Sequence, residues 1–363
     1  MQHLQGRLAG LEHADLRRRR PAAQGWDPTS FCSNDYLGLA AVSVELSGNP
    51  GAAASRLIAG ERAEHAALEC ALREWLGTES ALVFTSGYAT NVGVISALAE
   101  RGDLIVSDER NHASIIDGAR LSRAQVEVVP HLDTVAVAQA LSRHPAGHRW
   151  VVTEGYFSMD ADSPDFRALR AVCDAYDAAL IVDEAHSIGV LGPDGRGVLA
   201  EQGIIPDVLV GTFGKAFGAG GGFVAGSALL VDWLWNRARS FVFSTGLSPL
   251  VAQCALRGIK AARLQPELRM RTARVAQMLR TTLSELRKPA SGYGHILPVV
   301  LGSPAAAMDA MAKLAEHGVH AQAIRPPTVA PGSSRLRMAA SARHTEQDVM
   351  MAIAALRAAF GVR

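Results

Sequence analysis

The sequence predicts an α/β protein, with a large domain built on a mixed, mostly parallel sheet and a small α+β domain at the C-terminal end. Short apolar runs alternate with helical patterns over residues 41–258, which is typical of parallel strands joined by right-handed crossovers. Arginines become frequent after about residue 259 and mark the second domain. The chain has 363 residues, 48% of them hydrophobic, enough for two cores. We predict an N-terminal arm at 1–40, a large domain at 41–258 and a small domain at 259–363.

The N-terminal arm combines a helical stripe with a basic run. Four leucines recur at near-helical spacing: Leu4, Leu8, Leu11 and Leu16. Four arginines, Arg17 to Arg20, follow them, and Pro21 is expected to stop the helix. Such a run is usually a solvated face, although arginine also binds carboxylates and phosphates in a bidentate manner.

Apolar spacing gives the elements of the large domain. A helix is predicted over 63–76, ended by Gly77, and another at about 165–177. Continuous apolar runs predict buried strands at 104–106, 150–152, 180–182 and 208–210.

The small domain has a different pattern. One arginine-studded helix is predicted to carry both Arg263 and Arg280, and a break at 289–294 follows. Beyond the break, strands are predicted at 296–301 and 335–338, and helices at about 304–317 and 345–359.

Composition excludes several classes of function. The formal net charge of +1 gives no general attraction to nucleic acid or an anionic membrane. The four cysteines form no Cys-x-x-Cys pair, which argues against a metal site, a redox motif or a disulfide scaffold. No apolar run approaches the roughly 20 residues that span a bilayer, and the first residues lack a signal-peptide pattern. We therefore expect a cytoplasmic protein without a metal.

The stretch Val210–Gly218 is the most informative part of the chain, because Lys215 lies there between glycines with almost no other charge nearby. A Walker-type phosphate loop needs a glycine where Leu209 stands and a hydroxyl residue where Ala216 stands. A poorly hydrated pocket favours the neutral lysine amine, which forms a Schiff base with an aldehyde. The structural alternative is an exposed lysine in a turn.

A second chemical signal precedes it, where the apolar run 179–182 ends in Asp183 and His186. Ligands of open α/β sheets bind outside the carboxyl ends of the strands. A buried carboxylate without a cationic partner is costly. A pyridinium nitrogen would supply that partner, and the aspartate would keep the ring protonated as an electron sink. The structural alternative is an aspartate that caps the next helix and a core histidine bonded to backbone.

Taken together, Val182–His186 and Thr212–Gly218 resemble the α-oxoamine synthase family of pyridoxal-phosphate enzymes. Further segments match this family in order along the chain: 34–39, 55–57, 85–88, 111–114, 154–160 and 243–245. The resemblance covers nearly the whole chain. It implies the aspartate-aminotransferase fold (fold type I), pyridoxal 5'-phosphate as the cofactor and a homodimer with composite active sites.

The resemblance also implies roles for individual residues. Lys215 would carry the cofactor and then act as the base, Asp183 would keep the ring nitrogen protonated, and His112 would stack on the ring. The remaining implied cofactor contacts are Ser86, Gly87 and Tyr88 at the start of a predicted helix, Ser158 and His186 near the phenolic oxygen, Thr212 at the phosphate, and Ser244 and Thr245 at the phosphate from the partner subunit. A helix that begins at Ser86 would suit a phosphate, and an ordinary cap is the alternative.

The implied reaction joins an amino acid to an acyl thioester with loss of carbon dioxide. Residues 323–329, followed by Arg335–Arg337, look most like the biotin-pathway members of the family, which implies L-alanine and a pimeloyl thioester of coenzyme A or acyl carrier protein. Arg337 and Asn34 would grip the alanine carboxylate, and Arg17 would pair with the pimeloyl carboxylate.

Other activities stay open at this point. Sister enzymes of the family are glycine C-acetyltransferase, aminolevulinate synthase and sphingoid-type synthases, and a catalytically silent homologue is a further alternative. A hydrolase that used His112, Asp183 and a serine would leave Lys215 unexplained. Ala52 and Ala53 depart from the family pattern, which usually has serine and glycine there, and alanine resists positive φ.

Overall fold

The computed structural model describes residues 2–13, 16–17, 29–144 and 147–361. These residues form two compact units. The large unit consists of Leu37–Phe157 and Ser163–Arg269, with the described residues in those spans. The small unit combines Ser158–Asp162 with the described residues up to Tyr36 and from Met270 onward. No helix among the described residues has the length and apolar character needed to cross a bilayer.

The first helix, α1, spans Gln2–His13 and ends earlier than the leucine spacing predicts. Leu16 lies beyond it, and its backbone amide bonds to the carbonyl oxygen of Leu11 at 2.8 Å. The prediction that the helix continues toward Pro21 was therefore wrong at Leu16, while Pro21 itself lies outside the described residues. The side chains of Leu4, Leu8 and Leu11 are exposed.

Seven strands form the sheet of the large unit: β1 Ser80–Phe84, β2 Leu104–Asp108, β3 Gln125–Val129, β4 Arg149–Glu154, β5 Ala178–Asp183, β6 Val208–Thr212 and β7 Gly222–Gly226. Their order is β1-β7-β6-β5-β4-β2-β3. Five neighbouring strands, in the spatial order β6-β5-β4-β2-β3, pair in parallel. Strand β7 runs antiparallel to both of its neighbours, β1 and β6. The predicted mixed, mostly parallel sheet is confirmed, and all four predicted strands are present.

Helices join and cover these strands: α2 Ala63–Leu76, α3 Gly87–Leu98, α4 Ala113–Ser122, α5 Thr134–Arg143, α6 Phe166–Ala175, α7 Val198–Gln202, α8 Ala228–Arg237, α9 Arg239–Val242 and α10 Pro249–Leu264. The two predicted helices, now α2 and α6, are confirmed. One core cluster includes Val94 and Ile95 of α3, Ile115 of α4 and the sheet residues Ile181 and Val210. It fixes α3 and α4 on the sheet.

The small unit is an α+β structure, as predicted. Its sheet has the order β8-β10-β9, with β8 Ile296–Gly302, β9 Gln322–Ile324 and β10 Ser334–Ala339 pairing antiparallel. Three further helices are α11 Pro266–Glu285, α12 Pro304–Glu316 and α13 Glu346–Phe360. The single predicted helix across Arg263 and Arg280 was wrong. Pro266 has no N–H to donate, so the chain breaks at Gln265 and α11 begins anew.

Candidate active site

Three strands of the large unit end at one edge of the sheet and carry polar residues there. Glu154, Asp183 and Thr212 are the last residues of β4, β5 and β6, and all three are buried. Glu154 lies opposite Asp183 in the β4–β5 register. The sequence therefore places two carboxyl groups and a hydroxyl where an open α/β sheet binds its ligands.

Asp183 is a buried carboxylate that receives neutral donors. Its Oδ2 accepts a hydrogen bond from Nδ2 of Asn91 at 2.6 Å, and its Oδ1 accepts one from the backbone amide of Ala185 at 2.9 Å. Both of these donors are neutral. The side chain is 8% exposed, so water does little to solvate its charge.

His112 precedes α4 and caps it. Its Nδ1 accepts a hydrogen bond from the backbone amide of Ser114 at 3.3 Å and lies 2.7 Å from the Ser114 hydroxyl. The residue is exposed in the single chain, yet protein packed on one side of its ring removes water and lowers the pKa of His112. The negative charge of Asp183 opposes this shift and the positive charge of Lys215 adds to it.

Glu154 is the second carboxyl group of this edge. Burial, with the charge of nearby Asp183, raises its pKa to about 8, while Lys215 and the backbone amide of His112 act in the opposite direction. Glu154 therefore carries a proton at neutral pH in this environment. Asp183, Glu154, His112 and Lys215 are thus close enough to affect one another's pKa, and they form one cluster within the large unit.

Lys215 lies in the turn between β6 and β7. The turn is closed by backbone bonds from Phe213 to Gly221 at 3.0 Å and from Ala219 to Phe213 at 3.0 Å. Lys215 is half-buried, whereas the flanking Ala216 and Phe217 are buried. The structure thus does not match the alternative of a lysine in a fully exposed turn. His186 is also buried.

Ser86, Gly87 and Tyr88 open helix α3, as predicted. The Ser86 hydroxyl caps the helix by accepting from the amide of Ala89 at 3.0 Å. Gly87 passes close to Thr212: a Cβ at position 87 would lie 3.1 Å from the Thr212 side chain. The donor amides of this helix N-terminus suit an anionic group. Thr212 lies beside them, and its hydroxyl donates to the carbonyl oxygen of Gly221 at 2.9 Å and accepts from the amide of Gly214 at 3.2 Å.

Three other predicted contacts lie at the surface of the single chain. The ring of Tyr88 is exposed, and its hydroxyl bonds to Asp117. Thr245 is exposed and Ser244 half-buried, in the loop that follows α9.

Ala53, in the turn before Ser55, has φ +67, so this alanine adopts the left-handed conformation that usually selects glycine.

The predicted substrate residues form a second cluster, inside the small unit. Arg337 of β10 is buried, and its Nε donates to the carbonyl oxygen of Ser158 at 2.8 Å. Its Nη2 donates to Oδ1 of Asn34 at 3.1 Å and to the Tyr36 hydroxyl at 3.4 Å. All of these partners are neutral. Among the described residues, the Nη1 group of Arg337 donates to no acceptor. An unused pair of N–H donors on a buried guanidinium suits a carboxylate.

Arg17, the third predicted substrate residue, has contacts of its own. Its guanidinium is exposed and pairs with Glu12 at 3.1 Å. Arg18, Arg19 and Arg20 lie outside the described residues.

Sequence reasoning missed Asn91, Ser114, Glu154 and Tyr36. The last three stand next to, or within, segments that the sequence singled out, so their neighbourhood was a signal. Asn91 lies inside helix α3, and its contact with Asp183 depends on how that helix packs.

Comparison with known proteins identifies the family of this chain. The model of the family described as aminotransferase class I and II matches residues 27–356. The chain belongs to the aminotransferase class I and II family.

Within this family, the similar proteins are named for individual enzyme activities. The chain is 42% identical to "8-amino-7-oxononanoate synthase 1" of Polaromonas sp. (strain JS666), over 96% of this chain and 94% of that protein. Among solved structures it resembles serine palmitoyltransferase from S. paucimobilis, determined with bound PLP, at 29% identity and a TM-score of 0.91, covering 99% of this chain and 98% of that one. An 8-amino-7-oxononanoate synthase from Francisella tularensis matches with TM-score 0.74 and 25% identity, covering 90% of this chain and 96% of that one.

Proposed function

We propose that this chain is a pyridoxal-phosphate-dependent acyltransferase that condenses L-alanine with a pimeloyl thioester, with loss of carbon dioxide, to give 8-amino-7-oxononanoate for biotin synthesis. The observation that carries the choice within the family is sequence similarity. Relatives named for this activity reach 40–44% identity over 91–98% of the chain. The structural neighbour named serine palmitoyltransferase reaches 29% on a nearly superimposable fold, so the fold alone does not separate the sister activities.

The large-unit cluster fits pyridoxal phosphate in three respects. Asp183 is a buried anion whose hydrogen-bond partners are neutral, and a protonated ring nitrogen would bring it a cation. Ser86, Gly87 and Thr212 surround the N-terminus of α3, where a phosphate is stabilised. Lys215 is half-buried at the same edge of the sheet and is the natural attachment point for an aldehyde.

When bound, pyridoxal phosphate supplies an aldehyde that takes up the amino group and a ring that accepts the electron pair released at the α-carbon. Asp183 holds the proton on the ring nitrogen, because a neutral ring is a weaker electron sink. The Nζ atom of Lys215, once free of the cofactor, removes the α-proton as a general base. With the cofactor bound, His112 would stack on its ring and donate toward developing negative charge, and Ser158 and His186 would orient its phenolic oxygen.

Arg337 is proposed to bind the alanine carboxylate, together with Asn34. The support is the unused Nη1 group and the neutral surroundings of this guanidinium. Arg17 is proposed to meet the far carboxylate of the pimeloyl chain. Its present partner, Glu12, is exposed, so the ion pair between them exchanges at little cost.

The working assembly is proposed to be a cytoplasmic homodimer in which Ser244 and Thr245 reach the phosphate site of the partner. Thr245 is exposed in the single chain and Phe243 is 73% exposed, which leaves this loop available to a second copy. The four cysteines are all free, which agrees with a reducing compartment. A mixture of a Lys215→Ala chain and a Thr245→Ala chain should regain activity that neither has alone. A monomer that is fully active at sedimentation equilibrium contradicts the dimer.

The deciding experiment is a product assay by mass spectrometry in which alanine, glycine and serine are each combined with pimeloyl, acetyl and palmitoyl thioesters. We expect 8-amino-7-oxononanoate from alanine and the pimeloyl thioester as the dominant product. A preference for glycine with acetyl, or serine with palmitoyl, moves the assignment to a sister activity. Borohydride reduction and peptide mapping should find the cofactor on Lys215, and Lys313→Ala serves as the control because Lys313 pairs with Asp309 on the surface of α12.

A further inference from the structure

A continuous chain of side-chain hydrogen bonds joins His112 to Asp183. Nδ1 of His112 lies 2.7 Å from the Ser114 hydroxyl, and that hydroxyl accepts from Nδ2 of Asn91 at 2.9 Å. The same Nδ2 donates to Oδ2 of Asp183 at 2.6 Å. Asn91 and Ser114 are 2% and 0% exposed, so water does not compete for these bonds.

Close packing of two helices creates this chain. Gly118 of α4 faces α3, and a Cβ there would lie 3.0 Å from the carbonyl oxygen of Asn91 and 3.1 Å from Cβ of Ile95. Because position 118 has no side chain, α4 approaches α3 closely enough for Asn91 and Ser114 to touch. Any larger residue at this position would push the helices apart.

The direction of every bond follows from what each group can donate. The backbone N–H of Ser114 can only donate, so Nδ1 of His112, which receives it at 3.3 Å, carries no proton. The proton between Nδ1 and the Ser114 hydroxyl therefore comes from the hydroxyl. With its proton used, the hydroxyl oxygen accepts from Asn91. The other N–H of the Asn91 amide points to Asp183.

The orientation of the Asn91 amide is fixed by the same reasoning. If its oxygen occupied the Nδ2 position, two acceptors would meet at the 2.6 Å separation from Oδ2 of Asp183. In the orientation described, Oδ1 is buried with no hydrogen-bond partner among the described residues. A buried acceptor without a partner costs stability. The orientation leaves Oδ1 of Asn91 unsatisfied, but it lets the two N–H groups donate to Asp183 and Ser114.

We propose that Asn91 and Ser114 are positioning residues that hold His112 as the neutral tautomer with its proton on Nε2 and fix Oδ2 of Asp183. One hydrogen-bond chain thereby orients both groups that are assigned to the cofactor ring. This inference rests on the proposed function for its purpose, but its structural content concerns this chain alone. The tautomer leaves Nε2–H as the only ring donor of His112.

The surroundings of His112 agree with a neutral ring. Burial of one side lowers its pKa, and the positive charge of Lys215 acts in the same direction. Asp183 opposes them, and the carboxyl group of Glu154 accepts from the backbone amide of His112 rather than from its ring. From α3, Tyr88 contacts the ring edge-on at 6.4 Å between centroids, and its hydroxyl is engaged by Asp117.

The first test is nitrogen NMR of the cofactor-free protein labelled with ¹⁵N-histidine, with the His112 signals assigned by their loss in His112→Gln. We expect the neutral Nε2–H form in the wild type at neutral pH. In Ser114→Ala the Nδ1 atom keeps only the longer bond from the backbone amide and loses the hydroxyl donor, so the pKa of His112 should rise and the fraction of the Nδ1–H tautomer should increase. Ser122→Ala is the matched control, since Ser122 is also buried on α4 but bonds to Ala119 and Ala124.

The second test uses the loaded enzyme. Asn91→Ala should keep most of its cofactor yet lose about tenfold or more in turnover, the factor that one hydrogen bond to a charged group carries. The pH at which the cofactor absorption band changes should also move, because Asp183 is no longer held. Asn111→Ala is the control: Asn111 is equally buried and donates twice, to Ser107 and Val152. Asn91→Ser offers a smaller polar side chain if Asn91→Ala does not fold.

Two outcomes overturn the proposal. A proton on Nδ1 of His112 in the wild type contradicts it without any variant. Unchanged tautomer and unchanged absorption titration in both Ser114→Ala and Asn91→Ala do so as well. Because the NMR test needs neither cofactor nor substrate, it can succeed where the product assay fails and can fail where the product assay succeeds.

Discussion

Asp183 in the large unit and Arg337 in the small unit are buried charges of opposite sign, and the hydrogen-bond partners of each are neutral. Asp183 receives N–H donors from Asn91 and Ala185, and Arg337 donates to oxygen atoms of Ser158, Asn34 and Tyr36. Burying an ion without a counterion costs on the order of several kcal/mol. Two buried charges with neutral hydrogen-bond partners are suited to ligands that bring the opposite charge.

Neighbouring residues of the same types show the alternative. Asp108 ends strand β2 as Asp183 ends β5, but it is paired with His131 at 2.9 Å. Arg335 precedes Arg337 on strand β10, but it is paired with Asp160 at 2.7 Å. Position at a strand end or on a buried strand therefore does not decide which charge is functional. The difference is that, within the part of the chain that the structure describes, neither Asp183 nor Arg337 has a hydrogen-bond partner that carries the opposite charge.

The strongest way to break this contrast is to neutralise Asp183. Asp183→Asn should lower turnover roughly a hundredfold or more, the lower end of what a positioned proton-holding group contributes, while phosphate contacts retain most of the cofactor. Asp108→Asn should instead leave turnover per folded molecule unchanged and lower the free energy of unfolding by about 1–3 kcal/mol, because the His131 ring loses its bond to a buried carboxylate. Steady-state kinetics, cofactor absorbance and denaturant unfolding measure these effects. Full activity in loaded Asp183→Asn contradicts the role of Asp183.

The second prediction removes the buried cation. Arg337→Gln should raise KM for alanine about 10- to 100-fold, since charge-assisted bonds to the carboxylate are lost. Arg335→Gln should leave KM near the wild-type value and reduce stability, because Asp160 is left without its partner. Initial rates over a range of alanine concentrations separate the two. An equal rise of KM in both variants would remove the distinction between the two arginines.

Glu154 differs from Asp183, because it is a buried carboxyl group that keeps its proton and therefore carries no charge at neutral pH. Its pKa is raised to about 8 from an ordinary value of 4.5, so its stabilising effect is present below pH 4.5 and is lost as the pH rises through about 8. Wild-type protein without cofactor should lose at most about 1.4 kcal/mol of stability per pH unit in this window relative to Glu154→Gln. Parallel stability curves for the two proteins would contradict this assignment.

The smallest effect is expected at Arg17, a cation that is exposed and already paired with Glu12. Arg17→Ala should lower activity with the pimeloyl thioester by less than about fivefold. Activity with an uncharged acyl thioester of equal length should not change. Equal losses on both substrates would remove Arg17 from recognition of the acyl chain.

Much of the fold was predictable because buried parallel strands are continuous apolar runs. Two strands that were not predicted lack this pattern: β3 reads Gln-Val-Glu-Val-Val on the edge of the sheet, and β7 begins and ends in glycine. Strand β1, Ser80–Phe84, has the pattern and was missed all the same. The end of α1 was not predictable from leucine spacing, because Leu16 repeats the stripe without continuing the helix. Periodicity shows which residues are apolar, not whether a partner surface exists for them.

The candidate site was predictable to the extent that its residues follow strands or glycine turns. Lys215, Asp183 and Thr212 were found in this way. Asn91 was not, because an asparagine within a helix has no signature of its own, and its bond to Ser114 depends on Gly118, which lets two helices approach. The buried state of Arg337 was likewise invisible, since a strand arginine faces solvent as often as core.

The chain passes between the two units four times, at 36–37, 157–158, 162–163 and 269–270. A single cut in the backbone therefore cannot release either unit whole. A fragment that began at Met270 would lack Phe31, which lies in its core, and Asp160, the counterion of Arg335. Gene fusions and truncations that treat the C-terminal third as a portable module should yield insoluble or unfolded protein, and insertions are better tolerated in exposed loops within one unit than at these four crossings.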